Sequence, residues 1–205
     1  MEPIVEHFMS VLEPCGLNLF GIVSAASYDL SAKPALQTSV LAPGTRSIIV
    51  FASSGRRLWQ AFLDDLRSNS DHLILEQDPL DAYVDRCLLT ASRALIDVKQ
   101  RWFTPSPNAS VHLDFRTLAV DAGLAVPSKL GLVIRPDVGP WLGLRAACFI
   151  DVELSPSRSM NQVCEDCSAP CAQSCPGGAF DSGTWDVVKC ADFHQKDDHC
   201  AQGCD

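Results

Sequence analysis

The stretch Ser47-Ile48-Ile49-Val50-Phe51, reached through the turn Leu41-Ala42-Pro43-Gly44-Thr45, decides the fold. Its apolar run has no polar alternation, so it predicts a β-strand covered on both faces. The flanking sequence holds the covering helices. Upstream, Ile4, Val5, Phe8, Met9, Val11 and Leu12 recur at helical spacing over residues 3–13 until Pro14 and Gly16 stop them, and residues 17–23 form a short strand-like run. Downstream, one helix is expected from about Leu58 to Leu66. A longer one, opened by Asp78-Pro79, is expected from Asp81 to Trp102, where Tyr83, Cys87, Leu88, Ala91, Leu95 and Val98 repeat at three- and four-residue steps. Past the turn Pro105-Ser106-Pro107-Asn108 come Val111-His112-Leu113, a helix near Arg116 to Ala122 followed by Gly123, and two strands, 130–134 and 145–154, joined through residues 135–141. Helices mixed with apolar strands specify an α/β layered domain.

At 205 residues, 47% hydrophobic and 20% charged, the chain buries the core of one domain plus a small appendage, and the disordered, collagen-like and low-complexity classes are excluded. A net charge of −9 with only 16 scattered Lys and Arg argues against nucleic acid as a partner, because phosphate binding draws on clustered cations. Residues 1–7 carry two acids and no basic region, and no run approaches the roughly 20 apolar residues of a membrane span. The expected setting is a reducing cytoplasm with no membrane attachment.

Seven of the ten cysteines lie between Cys164 and Cys204. The polar stretch Ser155-Pro156-Ser157-Arg158-Ser159 breaks periodicity just before them, so two domains are expected, residues 1–155 and 156–205. The second opens with Cys164-Glu-Asp-Cys167-Ser-Ala-Pro-Cys171-Ala-Gln-Ser-Cys175-Pro176. Iron–sulfur clusters take thiolates from tight turns, and the bacterial ferredoxin run C-x2-C-x2-C-x3-C-P differs from this one only by an extra residue between Cys167 and Cys171. Pro176 and the Gly177-Gly178-Ala179 that follow are not what a zinc knuckle asks for, since zinc prefers two separated C-x2-C pairs. Iron–sulfur is therefore favoured over structural zinc, and zinc over disulfides.

By the ferredoxin pattern Cys175 joins Cys190, Cys200 and Cys204 around one cluster, and Cys164, Cys167 and Cys171 hold another that lacks a fourth ligand. Three arrangements stay open: one complete cluster, two clusters with a non-cysteine or water ligand on one, or a chain that stops short of an eighth Cys. His194 and His199 flank Cys200 and read as solvated residues. Between Cys164 and Asp205 eight acids face two lysines, and such surroundings oppose the addition of an electron, so a low reduction potential is expected.

The chain also resembles a known family. Leu118-Ala-Val-Asp-Ala-Gly123-Leu124, Ser128-Lys129-Leu130-Gly131, Gly139-Pro140-Trp141 and Cys175-Pro-Gly-Gly-Ala179 look like epoxyqueuosine reductases and are similar to reductive dehalogenases. Upstream likeness runs through Cys15-Gly16-Leu17, Phe20-Gly21-Ile22, residues 41–50 and Asp78-Pro79-Leu80-Asp81-Ala82-Tyr83. The resemblance implies a nitroreductase-like α/β domain, shared with the cobalamin-processing chaperone, that holds a corrinoid beside a small ferredoxin-like domain. The family's acidic proton donor would fall at Ala109 or Ser110, and the chain lacks the carboxy-terminal helical repeat that longer members use on tRNA, so epoxide reduction on tRNA is not implied.

Cofactor contacts implied by the resemblance or by side-chain chemistry are Lys129, Gly131, Gly139, Trp141 and Arg145. Lys129 reads equally as a solvated loop cation, Trp141 as a pocket wall or, by preference, a cap on the core, and Arg145 as the partner of Asp151 or of a ligand carboxylate. His112 and Asp114 alternate with Val111 and Leu113 and are expected on a solvent-facing strand side. Cys15, Cys87 and Cys148 read as buried small hydrophobes, and Gly44, Gly123 and Gly139 as turn glycines. The expected function is an iron–sulfur redox protein that passes electrons from one or two [4Fe-4S] clusters to bound cobalamin or a similar cofactor. The alternative is a ferredoxin-like carrier or cofactor chaperone without catalysis of its own. Its partners would be a low-potential donor such as a flavodoxin or ferredoxin, and a corrinoid or another small molecule.

Overall fold

The computed structural model describes residues 2–68, 78–93, 95 and 97–196. In chain order the elements are α1 (Pro3–Leu12), β1 (Leu19–Ser24), α2 (Ala25–Ser31), α3 (Thr38–Leu41), β2 (Ser47–Ser54), α4 (Arg57–Ser68), α5 (Pro79–Arg93), β3 (Gln100–Phe103), α6 (Phe115–Asp121), β4 (Val126–Pro127), β5 (Val133–Ile134), β6 (Leu142–Ile150), α7 (Pro170–Gln173) and α8 (Val187–Lys196), with one 3-10 turn at Pro34–Leu36. Four strands form an antiparallel sheet in the order β1-β2-β6-β3, and β4 pairs with β5 in a separate small hairpin.

The sheet is covered on both sides, as the Ser47–Phe51 run requires. Alternate residues of β2 go to opposite cores: Ile49 and Phe51 pack with α1, α4 and α5, while Ile48, Val50 and Ala52 pack with the α2, α3 and α6 side. All five are fully buried. Burial of an apolar side chain contributes about 1.5–3 kcal/mol, so this strand carries a large share of the hydrophobic stabilisation. The buried Ser47 is satisfied by accepting from Leu154 N at 2.9 Å. The result is a three-layer α/β/α arrangement.

The expected long helix ends at Arg93, well before Trp102. Trp102 instead lies on β3, with its ring stacked on Phe51 at 5.5 Å and edge-on to Phe8 at 5.3 Å, while Phe103 meets Phe149 on the other face at 4.8 Å. Neighbouring residues that pack on opposite faces demand a period of two, which no helix supplies. The last strand runs from Leu142 to Ile150, so it starts earlier and stops sooner than expected, and the 130–134 strand shrinks to Val133–Ile134. Cys87 and Cys148 are buried as expected, whereas Cys15 is half-buried.

The Ser155–Ser159 stretch lies along β1: Ser157 N donates to Ile22 O at 2.9 Å and Ile22 N to Ser157 Oγ at 3.0 Å. Beyond it, the described elements are α7 and α8, and no strand is present among the described residues there. Among the described residues no helix is long and apolar enough to cross a membrane.

Candidate functional site

Asp114 starts α6. Its Oδ1 accepts from Arg116 N at 3.1 Å and Thr117 N at 3.2 Å, and its Oδ2 accepts from Thr117 Oγ1 at 2.9 Å, which satisfies donors that a helix start leaves orphaned. Burial pushes the carboxyl up, but the Thr117 hydrogen bonds and the Arg116 charge outweigh it and hold Asp114 below the usual carboxylate range. The expected strand face shared with His112 is therefore corrected. The alternation at 111–114 is that of a loop leading to a helix cap.

The capped helix start and the loop after β4 wall a cavity of about 300 Å³ between Asp114, Arg116, Thr117, Ser128, Gly131 and Val133. The loop holds its shape internally. Gly131 N donates to Ser128 O at 3.1 Å, Ser128 Oγ to Leu132 O at 2.9 Å, and Arg116 Nη1 reaches across from the helix to Gly131 O at 3.3 Å. Lys129 leaves the same loop in the other direction and donates from Nζ to Cys167 O at 2.5 Å.

Of the expected cofactor contacts the structure thus brings only Gly131 to the cavity lining, with Lys129 on the same loop but directed away from it, and does not bring Gly139, Trp141 or Arg145 there. Gly139 closes a tight turn with Arg135, donating to Arg135 O at 2.7 Å and accepting from Arg135 N at 3.0 Å. Trp141 is 52% exposed beside the sheet end, where its carbonyl accepts from Gly55 N at 3.1 Å, so the expected cap on the core is corrected. Arg145 is the extra residue of a β-bulge, since Phe51 pairs with Ala146 and Ala52 with Leu144. The bulge turns Leu144 and Leu142 to the α6 side and leaves the Arg145 guanidinium over Gly143 near Ser53. Its Nε is buried without a hydrogen-bond partner, and burial lowers its pKa against the pull of Asp81 and Asp78. Asp151, its expected partner, instead accepts from Lys99 N at 3.2 Å.

In the cysteine segment, Cys167 N donates to Cys164 O at 3.4 Å, which closes the first turn. Ala169 then takes a left-handed φ of 57°, and Pro170 opens α7 with Cys171 as its second residue. The residue that lengthens the spacing between Cys167 and Cys171 is thus absorbed by a strained reversal, a geometry that costs on the order of 1–2 kcal/mol for a residue with a Cβ. Past α7, Gly178 N donates to Cys175 O at 3.1 Å. Asp186 caps α8 by accepting from Val188 N and Lys189 N, both at 3.0 Å, and Cys190 N donates to Asp186 O at 3.1 Å. Phe193, one turn beyond Cys190, packs against Gly177, two residues beyond Cys175, so these two cysteines flank one contact.

All eight described cysteines carry free thiols. Among the described residues no three Cys, His, Asp or Glu side chains gather around one point, and Cys200, Cys204 and His199 lie outside the described residues. The donor set itself suits an iron–sulfur cluster: unpaired thiols, set at turns and helix starts, with no histidine interposed between Cys164 and Cys190. Asp114, Arg116 and Thr117 escaped the sequence reading as site residues, although an Asp just ahead of a helical run is a recognisable start signal.

The fold is that of solved epoxyqueuosine reductases and of a B12-trafficking protein. The epoxyqueuosine reductase from Streptococcus thermophilus superposes with a TM-score of 0.60 at 16% identity, over 96% of this chain and 59% of that one. An epoxyqueuosine reductase bound to a tRNA stem loop gives 0.55 at 18%, over 92% and 55%. The Caenorhabditis elegans B12-trafficking protein CblC gives 0.51 at 14%, over 81% and 75%. The chain spans between half and two thirds of the length of the reductases it matches. No family model matches the chain, and no curated protein does. Because a protein of this fold is seen with a tRNA stem loop, the fold lends no support to excluding nucleic acid, and that expectation rests on the number and scatter of the charges in the sequence.

Proposed function

We propose that this chain is an iron–sulfur redox protein whose α/β layers hold a corrinoid or similar cofactor at the Asp114–Val133 cavity and whose cysteine segment delivers electrons to it. The observation that carries this reading is the Lys129 Nζ to Cys167 O hydrogen bond, which ties the cavity loop to the cysteine motif. Cys175 and Cys190, together with Cys200 and Cys204, would hold one [4Fe-4S] cluster, and Cys164, Cys167 and Cys171 would hold a second. A cluster held there supplies single electrons at low potential. The chain's own residues do the rest. Lys129 brings a cation to the Cys167 carbonyl, the Asp114 cap keeps α6 in place, and Arg116 holds the loop closed through Gly131. At about 300 Å³ the cavity stands at the low end of ligand sites. A low-potential flavodoxin or ferredoxin would be the donor.

Likeness to a B12-trafficking protein favours a second reading, a cofactor carrier without catalysis. Cobalamin added to the anaerobic protein tests both. Under either reading the spectrum shifts to the base-off form, and only the redox reading then gives cobalt reduction when the clusters are reduced first. No shift at high concentration removes the corrinoid from the proposal.

A further inference from the structure

The seam between α1 and α5 holds a cysteine pair that the cysteine segment and the cavity do not use. After α1 ends, the turn through Glu13 and Gly16 sets Cys15 against α5, where Tyr83 and Cys87 stand one turn apart and face it. Tyr83 donates its hydroxyl proton to Cys15 O at 3.2 Å, which pins the turn to the helix, and Cys15 Sγ donates to Val11 O at 3.3 Å. The Cys87 side chain neighbours those of both Cys15 and Tyr83. The two sulfurs differ in access, since Cys15 is half-buried and Cys87 is 6% exposed.

The thiols also differ in acidity. The hydrogen bond from Cys87 lowers Cys15 to about 7 against the opposing effect of burial, while the same bond, followed by burial, pushes Cys87 up. The more acidic thiol is thus also the more accessible one. That asymmetry is what separates an attacking thiol from a resolving thiol.

We propose that Cys15 and Cys87 form a peroxide-reactive dithiol that closes to an intramolecular disulfide. The Cys15 thiolate attacks one oxygen of hydrogen peroxide and the O–O bond breaks. The departing hydroxide takes a proton and leaves as water, and Cys15 becomes a sulfenic acid. The Cys87 sulfur then attacks the Cys15 sulfur, the S–O bond breaks, and the hydroxyl leaves with the Cys87 proton as a second water. Two thiols lose two electrons in total and one peroxide gains them. Tyr83 is a positioning residue, because it holds the Cys15 backbone on α5 while the S–S bond forms. The product joins the end of α1 to the middle of α5.

The test is peroxide titration of the full chain purified anaerobically, with unreacted thiols alkylated and a non-reducing digest read by mass spectrometry. The expected result is joint loss of alkylatable Cys15 and Cys87 and a cross-linked peptide pair lighter by two hydrogens. In Cys87→Ala the sulfenic acid at Cys15 persists and is captured by a dione probe, and in Cys15→Ser the thiol of Cys87 stays alkylatable. The proposal is overturned if Cys15 and Cys87 remain unlinked while other cysteines oxidise. It is equally overturned if Cys15 joins one of the cysteines in the 164–190 segment. Mapping of the wild-type chain decides the matter even where Cys87→Ala does not fold.

Discussion

Gly123→Ala tests whether the Ser155–Ser159 stretch is packed onto the α/β layers. Gly123 ends α6 with a φ of 64°, and a Cβ placed on it would stand 3.3 Å from Ser157 Cβ, 3.1 Å from the Arg158 carbonyl carbon and closer still to the carbonyl oxygen. The left-handed backbone costs an alanine about 1–2 kcal/mol. Overpacking against a held backbone adds about 1–3 kcal/mol. The Ser157 stretch cannot retreat freely, since it is tied to Ile22 by two hydrogen bonds. The total expected is about 2–5 kcal/mol, and for a chain of this size each kcal/mol lowers Tm by about 2–4 °C. Gly139→Ala is the control, because Gly139 has a φ of 63° and nothing within 4 Å of an added Cβ, so it bears the backbone cost alone. Equilibrium denaturation of both variants reads the difference. Equal destabilisation of the two would refute the packing argument.

Four further outcomes follow from the same structure. Asp114→Ala removes the α6 cap and costs about 1 kcal/mol; because the folded carboxyl is held low, that contribution is complete above the ordinary Asp pKa of about 3.9 and is lost as pH falls through the lowered value, which denaturation at pH 7 and pH 3 compares. Lys129→Met changes stability by less than about 1 kcal/mol, since the side chain is exposed, yet it moves the reduction potential of the cluster proposed beside Cys167 to more negative values in a dithionite titration. Trp102→Ala strips the ring that packs on Phe8 and Phe51 and costs about 3–5 kcal/mol by chemical denaturation. Cys190→Ser lowers the iron content of reconstituted protein, whereas Cys148→Ser leaves iron unchanged and costs about 1–3 kcal/mol by burying a hydroxyl on β6.

The parts of the fold that were readable in the sequence are those where one local pattern dominates. The Ser47–Phe51 strand announced itself because both its faces are apolar, and α1 because its stripe ends at Pro14. Trp102 was misread because helical spacing from Tyr83 to Val98 runs on past Arg93, and only the rings of Phe8 and Phe51, distant in sequence, select the strand. The β-bulge at Arg145 leaves no mark in composition, so neither the orientation of that side chain nor its separation from Asp151 was legible. At the site, the cysteine spacing could be read because its turns are local, whereas Leu130 and Gly131, expected to open a strand, belong to the loop that starts at Ser128. The Lys129 to Cys167 link and the Cys15 to Cys87 pairing could not, since each joins segments that only the folded sheet brings together.

Iron, acid-labile sulfide and zinc in anaerobically purified protein bear most directly on the proposed electron delivery. The account predicts iron and sulfide in near-equal amounts, a broad visible thiolate-to-iron absorbance, and a paramagnetic signal after dithionite. Colourless protein that holds zinc and no sulfide would contradict it.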